Sequence, residues 1–369
     1  MKMAKKDKQS IQSRIAQYLY IHQSATKAEL SRSLGVSMPT ILSNVSTMSD
    51  EQILVPAGEL DSTGGRKATA LALNPNWAAA VGISITKSNL QFVLMDITGT
   101  ILALKKVAYT FDGSSQALEF LAQQLDAFLK AHPDHPRLLG CGIALPGIVE
   151  KKSGILTRSH VLDLENYALS GFKQAISMDL LFENDANAAL LAERPGKEDS
   201  LVFLYLGRTV GGTLFSQGQI VEGDHCRAGE FGHMILYPHG RTCYCGKQGC
   251  VDPYCSVSAL TGGQNNQLEQ FMQEAKTHPN STQAQAWQKL LDDLALLCSN
   301  LRMAFDEEIL IGGPLSQYIK ADLELLKEKV QPLDGFERNP DYLKTAKKDH
   351  AAAAIGAAEL LFLQTIKTL

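Results

Sequence analysis

The chain has 369 residues, of which 45% are apolar and 20% are charged, and its formal net charge is −4. This balance excludes a disordered or fibrous protein, and the length predicts two or three folded units. The longest apolar stretches, residues 78–85 and 351–363, are shorter than the ~18 to 20 residues that a membrane-spanning helix requires.

Charge is distributed unevenly along the chain. Residues 1–75 carry nine Lys and Arg against six Asp and Glu, a net charge of +3, whereas the remaining residues have a net charge of −7. A basic N-terminal part on an acidic body indicates that nucleic acid, if bound, contacts the N-terminal part.

The N-terminal residues and the cysteines both bear on the compartment. The basic N-terminus is not followed by an uninterrupted apolar stretch and a small-residue cleavage site, which argues against a secretory leader. Three of the seven cysteines lie within eight residues, unlike a disulfide framework. We therefore expect a cytoplasmic protein.

Three short amphipathic helices are predicted within residues 11–48, where apolar side chains recur at helical spacing. Thr26 and Ser37 stand where the second and third helices need N-caps, and Pro39 fits the first turn of the third. Gly35 between these helices favours a turn with positive φ. The pattern is typical of a helix-turn-helix unit, although any three-helix bundle has a similar one.

The third predicted helix has an apolar and a polar face. Ile41, Val45 and Met48 lie on the apolar side. A recognition helix enters a major groove only ~12 Å wide, where small hydroxyl and amide groups reach base edges. The side chains of the opposite face meet this requirement and are predicted to contact DNA: Ser37, Thr40, Ser43, Asn44 and Thr47.

A wing is predicted directly after these helices. Residues 53–56 and 70–73 have the pattern of two short strands on either side of a Gly-Gly-Arg-Lys tip. Arg66 and Lys67 at this tip suit contacts with phosphates or with a minor groove.

After residue 75 the pattern changes to strands followed by helices, and it recurs around residues 201–206. This repetition predicts two related α/β lobes that face a cleft. The elements predicted first are strands at residues 79–85, 91–96, 101–109 and 138–144 and a helix at residues 115–131.

Four motifs are expected to lie along this cleft, the last of them a cysteine turn. Gly147 follows a strand, and its missing side chain permits close approach of a ligand. Asp185 opens a helix, where it serves either as an N-cap or as a carboxylate that accepts a hydroxyl proton. Glu230 and His233 are three residues apart between glycines, as ligands on a tight turn are.

The densest motif is a cysteine turn at residues 243–250. Cys243, Cys245 and Cys250 can converge on one tetrahedral zinc ion, and His233, ten residues upstream, completes a Cys3His set. Four protein ligands leave no open position for water. The zinc ion is therefore predicted to be structural.

These motifs resemble the ROK family (repressors, open reading frames and kinases) over essentially the whole chain. The most specific stretch is Gly-Glu-x-Gly-His followed by Cys-x-Cys-Gly-x-x-Gly-Cys, and the N-terminal Ala-Glu-Leu helix and Gly-Gly-Arg-Lys wing are similar to those of ROK regulators. The resemblance implies an α/β fold in which a winged helix-turn-helix precedes a two-lobed, actin-like sugar-kinase domain. It implies zinc ligands and sugar contacts at these positions: His233, Cys243, Cys245 and Cys250 for zinc, and Asn184, Asp185, Glu230, His233 and Asp252 for the sugar.

The chain departs from the family pattern at three sites. Asp252 stands where the family usually has Glu, which leaves the pocket about one methylene roomier. In the hairpin that matches the kinases' Asp-x-Gly-Gly-Thr-Lys, Ser84 replaces Asp and both glycines are missing. Thr209 replaces a glycine of the second phosphate loop. Phosphoryl transfer depends on positioning and charge neutralisation, so we predict that the chain is not an enzyme and that Asp185 is a vestigial base.

The sequence thus predicts a sugar-responsive repressor of carbohydrate-utilisation genes that binds operator DNA and a sugar or sugar phosphate as a homodimer or homotetramer. Two alternatives are an active sugar kinase with an accessory N-terminal domain and a zinc-stabilised module that binds a partner protein. The predicted domains are a winged helix-turn-helix at residues 1–75, a small lobe at residues 76–185 plus 352–369, and a large lobe with the zinc site at residues 186–351.

Overall fold

The computed structural model describes a mixed α/β protein with a small N-terminal unit and two five-stranded sheets. Within the described ranges, no helix is both long and apolar enough to cross a membrane. The described residues are 9–60, 68–196, 199–263, 267–336, 339–348 and 351–369.

The N-terminal unit contains three helices and a small antiparallel sheet. Its elements are α1 (Ile11–His22), β1 (Ala25–Thr26), α2 (Lys27–Leu34), α3 (Met38–Asp50), β2 (Leu54–Leu60) and β3 (Ala68–Leu73). The strand order is β1-β3-β2, so the short strand before α2 pairs with the second wing strand. The predicted wing tip, with Arg66 and Lys67, lies outside the described residues.

Local chemistry accounts for the boundaries of α2 and α3. The Thr26 hydroxyl accepts from the backbone N–H of Glu29 at 3.2 Å, and the Glu29 carboxylate accepts in return from the backbone N–H of Thr26 at 2.7 Å. Gly35 ends α2 at φ +61°, as predicted. Ser37 precedes α3 but makes no side-chain cap, because its hydroxyl bonds to the Thr40 hydroxyl at 2.8 Å.

The first five-stranded sheet has the order β11-β7-β4-β5-β6. The elements of this region are β4 (Ala79–Ile85), β5 (Asn89–Asp96), β6 (Ile101–Ala108), α4 (Ser115–Lys130), β7 (Leu138–Leu145), β8 (Ile148–Glu150), β9 (Ile155–Ser159), β10 (Leu164–Ala168), α5 (Ser170–Ala175) and β11 (Leu180–Asn184). Strand β7 runs parallel to β4 and β11, whereas β4, β5 and β6 are antiparallel neighbours. Strands β8–β10 form a separate three-stranded sheet.

The second five-stranded sheet has the order β14-β13-β12-β15-β16 and packs against α10, the longest described helix. The elements of this region are α6 (Asp185–Leu191), β12 (Leu201–Leu206), β13 (Val210–Ser216), β14 (Gln219–Ile220), α7 (Asp252–Cys255), α8 (Val257–Thr261), α9 (Leu268–Thr277), α10 (Thr282–Phe305), β15 (Glu308–Gly312), α11 (Ser316–Ala321), α12 (Leu323–Val330) and β16 (Leu343–Thr345). A single-turn 3-10 helix spans Phe231–His233.

Helix α13 (Ala352–Thr368) returns to the first sheet and lies directly on it. Glycines make this close approach possible. A Cβ atom at Gly82 of β4 or at Gly142 of β7 would lie 1.7 or 1.8 Å from a backbone carbonyl oxygen of α13. On the other side, a Cβ atom at Gly356 of α13 would lie 1.6 Å from the carbonyl oxygen of Ala188 in α6. The sheet, α13 and α6 are therefore packed backbone against backbone.

Arg194 joins the N-terminal unit to this packed layer. Its guanidinium lies 4.1 Å above the ring of Tyr20 in α1 and donates to the carbonyl oxygens of Tyr20 and Thr98 at 3.3 and 2.8 Å. It also pairs at 2.8 Å with the carboxylate of Glu359 in α13, whose side chain is only 2% exposed. The Tyr20 ring packs edge-on to Phe362 of α13. The contacts of one side chain thus extend to α1, to the β5–β6 turn and to α13.

Gly356→Ala is expected to lower the free energy of unfolding by about 1 to 3 kcal/mol, because the new methyl group meets backbone atoms that have no alternative rotamer. Gly335→Ala is the matched control, since a Cβ atom there has no neighbour within 4 Å. Urea unfolding of both variants measures the difference. Equal midpoints would contradict the packing of α6 on α13.

Candidate functional site

A cavity of about 320 Å³ lies between the two regions that contain the five-stranded sheets. One wall is formed by the loop after β7, the β9–β10 hairpin and the start of α6. The other is formed by the end of β12, the start of β13, the segment before the 3-10 helix and the cysteine turn. Four of the five predicted sugar contacts line it: Asn184, Asp185, Glu230 and His233.

Asn184 and Asp185 have different roles at the start of α6. The Asn184 side chain is the N-cap, since its oxygen accepts from the backbone N–H groups of Ala186 and Asn187 at 2.9 and 3.1 Å. Its amide donates to the Gly147 carbonyl oxygen at 2.9 Å. Asp185 is the first helical residue rather than the N-cap; its carboxyl group accepts from the Ala186 N–H at 3.0 Å, and the residue lines the cavity wall.

The carboxyl group of Asp185 has a pKa close to neutral pH. Burial, opposed by a hydrogen bond from the Ala186 N–H and aided by the nearby Glu230 carboxylate, raises the pKa of Asp185 to about 7. Burial likewise raises the pKa of Glu230, which the positive charge of Arg227 opposes. The Asp185 carboxyl group can therefore accept or donate a hydrogen bond near neutral pH.

Asp252, the fifth predicted sugar contact, is not on the cavity wall. It is only 4% exposed, and its carboxylate accepts from the backbone N–H of Val210 at 2.7 Å. Burial raises the pKa of Asp252 to about 6, and this hydrogen bond opposes the rise. Its contact is therefore with the start of β13, inside the predicted second phosphate loop at residues 207–212.

The cysteine turn and the 3-10 helix bring four metal-binding side chains together. The ligand atoms of His233, Cys243, Cys245 and Cys250 all lie within 4.8 Å of one another. The His233 Nδ1 atom is 3.8 Å from Cys243 Sγ, and Cys245 Sγ is 3.8 Å from Cys250 Sγ. Ligands about 2.0 to 2.3 Å from a tetrahedral ion have separations of this size, so the cluster fits a metal ion that prefers nitrogen and sulfur.

The surroundings of the cluster orient its histidine. Tyr244 lies between two of the cysteines and places its hydroxyl 3.3 Å from His233 Nε2, the nitrogen that does not face the thiols. The Lys247 ammonium donates to the His233 carbonyl oxygen at 2.7 Å. Such outer partners fix the ring orientation of a metal-binding histidine. Because Tyr244 and His233 also line the cavity, the cluster forms part of its wall.

The hairpin at residues 84–89 is closed by its own side chains. The Thr86 hydroxyl donates to the Asn89 carbonyl oxygen at 3.0 Å and accepts from the Asn89 N–H at 3.1 Å. Ser84 is buried in β4 with 5% exposure. The backbone N–H groups of Thr86 and Asn89 therefore both have partners inside the hairpin.

The predicted DNA-contacting side chains share one face of α3. Ser43 and Thr47 are exposed, while Asn44 is half-buried and its amide donates to the Thr40 carbonyl oxygen at 2.8 Å. Leu42 is 45% exposed on the same helix. Sequence reasoning did not single out Leu42, since the apolar spacing of α3 marked only its buried side.

Several cavity residues were also absent from the predictions. Arg158 and His160 lie on the β9–β10 hairpin, Arg227 precedes the Gly-Glu motif, and Tyr244 lies inside the cysteine turn. A search of the residues adjoining each motif would have found Arg227 and Tyr244. No local pattern marks Arg158, because only the fold brings the hairpin to the cavity.

Comparisons with known proteins agree with this architecture. A model described as the ROK family matches residues 80–364. The xylose repressor of Bacillus subtilis (strain 168) is 26% identical over 242 residues, which are 64% of this chain and 62% of that protein. The chain therefore matches less than two thirds of the length of that relative.

Two solved structures share the fold. A ROK family transcriptional regulator, described as a homologue of the E. coli MLC protein, has a TM-score of 0.72 at 20% identity and covers 97% of this chain and 96% of its own. A ROK family glucokinase from Streptomyces griseus, solved with glucose and AMPPNP, has a TM-score of 0.66 at 22% identity and covers 76% of this chain and 98% of its own.

Proposed function

The chain belongs to the ROK family, and on this basis we propose that it is a sugar-responsive, DNA-binding transcriptional regulator that represses carbohydrate-utilisation genes. The observation that carries the proposal is the direct packing of the helix-turn-helix unit on the cavity-bearing part of the chain. Arg194 lies three residues beyond the end of α6, and its guanidinium stacks on the ring of Tyr20 in α1 and donates to the Tyr20 carbonyl oxygen. Asp185, at the other end of α6, lines the cavity.

The proposed DNA contact is made by α3. Its exposed face offers hydroxyl groups at Ser43 and Thr47 and the free amide oxygen of Asn44 to base edges in a major groove. Leu42 adds an apolar surface that suits the methyl group of thymine. Arg66 and Lys67 of the wing, together with Ser37 and Thr40, complete the proposed interface.

The effector that we propose is a sugar or sugar phosphate in the cavity. Asp185 and Glu230 supply the hydrogen-bonding groups for sugar hydroxyls, while His233 borders them. Asn184 supports the cavity wall and has no direct role in binding the sugar, since the oxygen and the nitrogen of its amide are already bonded to the protein. Asp252 acts indirectly through Val210.

Loss of catalysis is part of the proposal. A kinase must direct backbone N–H groups and a metal-organising carboxylate at the phosphates of ATP. In this chain Ser84 has no carboxylate, and the hairpin N–H of Asn89 is bonded to Thr86. The kinase-like region therefore binds an effector without phosphorylating it.

An active sugar kinase is the alternative that one observation favours. Burial raises the pKa of Asp185 to about 7, and a general base is most effective when its pKa lies near the working pH. ATP turnover with a panel of hexoses separates the two functions, and turnover that Asp185→Asn abolishes would establish the kinase. A module that binds a partner protein instead of a sugar would gain no heat stability from any sugar.

We propose zinc as the metal of the Cys3His cluster. Three sulfur atoms and one imidazole nitrogen match the ligand preference of zinc, and four protein ligands complete its tetrahedral coordination. The ion would hold the 3-10 helix with Glu230 and His233 against the cysteine turn and would take no part in a reaction.

The proposed organisation retains the predicted domains, namely residues 1–75, residues 76–185 plus 352–369, and residues 186–351. The close contact of α13 with the first sheet supports assigning residues 352–369 to the small lobe. A cytoplasmic homodimer would present two α3 helices to half-sites of a palindromic operator, spaced by roughly 34 to 36 Å.

We propose that α6 carries the effector signal to the DNA-binding unit. Its first residue lines the cavity, its middle touches α13 through Gly356, and Arg194 beyond its end contacts α1. A shift of α6 on ligand binding would therefore move Arg194 relative to Tyr20. The shift has an effect only if the ligand binds one arrangement more tightly than the other.

Loss of the zinc ion is expected to lower the thermal stability of the protein. The purified protein should contain about one zinc ion per chain, and Cys250→Ser should lose it and melt roughly 5 °C lower or more. Cys226→Ser is the matched control, because Cys226 lies outside the cluster. Metal analysis and thermal melting provide the measurements. Full stability in metal-free protein would contradict a structural ion.

Operator binding tests the function itself. The protein should bind DNA upstream of neighbouring sugar genes in a gel-shift titration, and a cognate sugar or sugar phosphate should weaken that binding. Asn44→Ala should lower the preference for operator over unrelated DNA by about tenfold, as loss of one base contact does. Asn280→Ala, an exposed change on the large lobe, is the control. Absence of binding to every such DNA at low salt would refute the regulator.

The coupling through Arg194 is tested by a neutral double variant. Arg194→Gln with Glu359→Gln removes the ion pair without leaving a buried unpaired charge. It should still bind DNA but lose most of the response to the effector. Lys289→Gln with Asp293→Asn is the matched control, because Asp293 is equally buried and its pair lies far from α1. An unchanged response in a folded Arg194 variant would rule out this route.

A further inference from the structure

The cavity carries positive charge that a neutral sugar would not use. Three basic side chains line it, namely Arg158, Arg227 and Lys247. We infer that the effector of the proposed regulator is a phosphorylated sugar, and that Arg158 and Arg227 bind its phosphate group. The inference rests on the proposed function and narrows it to one chemical class.

Arg227 is the most available of these cations. It is exposed, and among the residues that the structure describes its guanidinium makes no hydrogen bond or ion pair, although its positive charge acts on the nearby Glu230 carboxyl group. The backbone of its segment is held in place, since the Glu230 N–H donates to the Arg227 carbonyl oxygen at 3.4 Å. A guanidinium that lines a cavity and is not engaged in a short ion pair is suited to a phosphate, which it binds through two parallel hydrogen bonds.

Arg158 reaches the cavity from the opposite side, on β9. Its contact with Glu165 is long, at 3.4 Å, and both side chains are more than half exposed. An exposed pair of this kind contributes little free energy, so a phosphate competes for the guanidinium at small cost. Lys247 is already bonded to the His233 carbonyl oxygen and adds mainly its charge.

The remaining wall suits the sugar part of the same ligand. Asp185 and Glu230 face hydroxyl groups, and the rings of His160 and Tyr244, with centroids 4.9 Å apart, offer an aromatic surface for a sugar ring. Inorganic phosphate would leave these groups unused, and an unmodified sugar would leave the arginines unused. A sugar phosphate uses both sets.

The placement of the two arginines also explains how binding selects a conformation. Arg158 belongs to the β8–β10 sheet, whereas Arg227 belongs to the segment that follows β14. A phosphate bound by both is contacted from the two sides of the cavity at once. It therefore binds most tightly in the arrangement that brings both guanidiniums within reach, which is the differential affinity that a sensor needs.

The experiment compares each free sugar with its own phosphate by calorimetry and by release of operator DNA. The pairs are glucose with glucose 6-phosphate, N-acetylglucosamine with N-acetylglucosamine 6-phosphate, and xylose with xylose 5-phosphate; inorganic phosphate is the fourth probe. In one pair the phosphate should bind about tenfold more tightly or better than the sugar, as charge-assisted hydrogen bonds do. Arg227→Gln and Arg158→Gln should each remove most of this preference.

Lys152→Gln is the matched control, since it removes a positive charge from the same β8–β9 hairpin at an exposed residue that does not line the cavity. It should leave the preference unchanged. A free sugar that binds as tightly as its phosphate, or a preference that survives Arg227→Gln, would overturn the inference and leave the sugar-responsive function intact. Inorganic phosphate that binds equally well would overturn it too. If no probe binds or releases DNA, the proposed function fails as well.

Discussion

The structure depends on contacts that only glycine permits. At Gly82, Gly142 and Gly356 a side chain would coincide with a backbone oxygen of the neighbouring element, so α13 touches the first sheet on one side and α6 on the other. Packing of this density has little freedom to deform gradually and moves as a unit. The helix that starts at the cavity is consequently held by the same layer that Glu359 and Arg194 connect to the N-terminal unit.

Features that depend on neighbouring residues were predictable from the sequence, and those that depend on the fold were not. The Thr26 cap, the Gly35 turn and the cysteine cluster are local, because their members lie within a few residues or on one tight turn. The cap of α6 was misplaced by one residue, since Asn184 and Asp185 are both good N-caps. The Arg194–Glu359 pair spans 165 positions and has no signature in either segment.

Asp252 lies beneath the cavity wall and bonds to the backbone at the start of β13. A carboxylate one methylene shorter than the usual Glu is bonded to the Val210 N–H beneath the wall instead of facing the ligand. The Val210 N–H at the start of β13 and the Asn89 N–H in the hairpin between β4 and β5 thus both have partners within the protein.

The packing of α13 has a consequence for how the protein is made. Strands β4, β5 and β7 leave the ribosome long before residues 352–368, yet the apolar face of their sheet is covered by that helix. This apolar face stays exposed to solvent while the whole large lobe is synthesised. Contacts between residues so far apart in sequence also form slowly. The N-terminal unit, built from local contacts, lacks its contacts with α13 until then. Nascent chains should therefore hold a folded N-terminal unit before the first sheet is packed on α13.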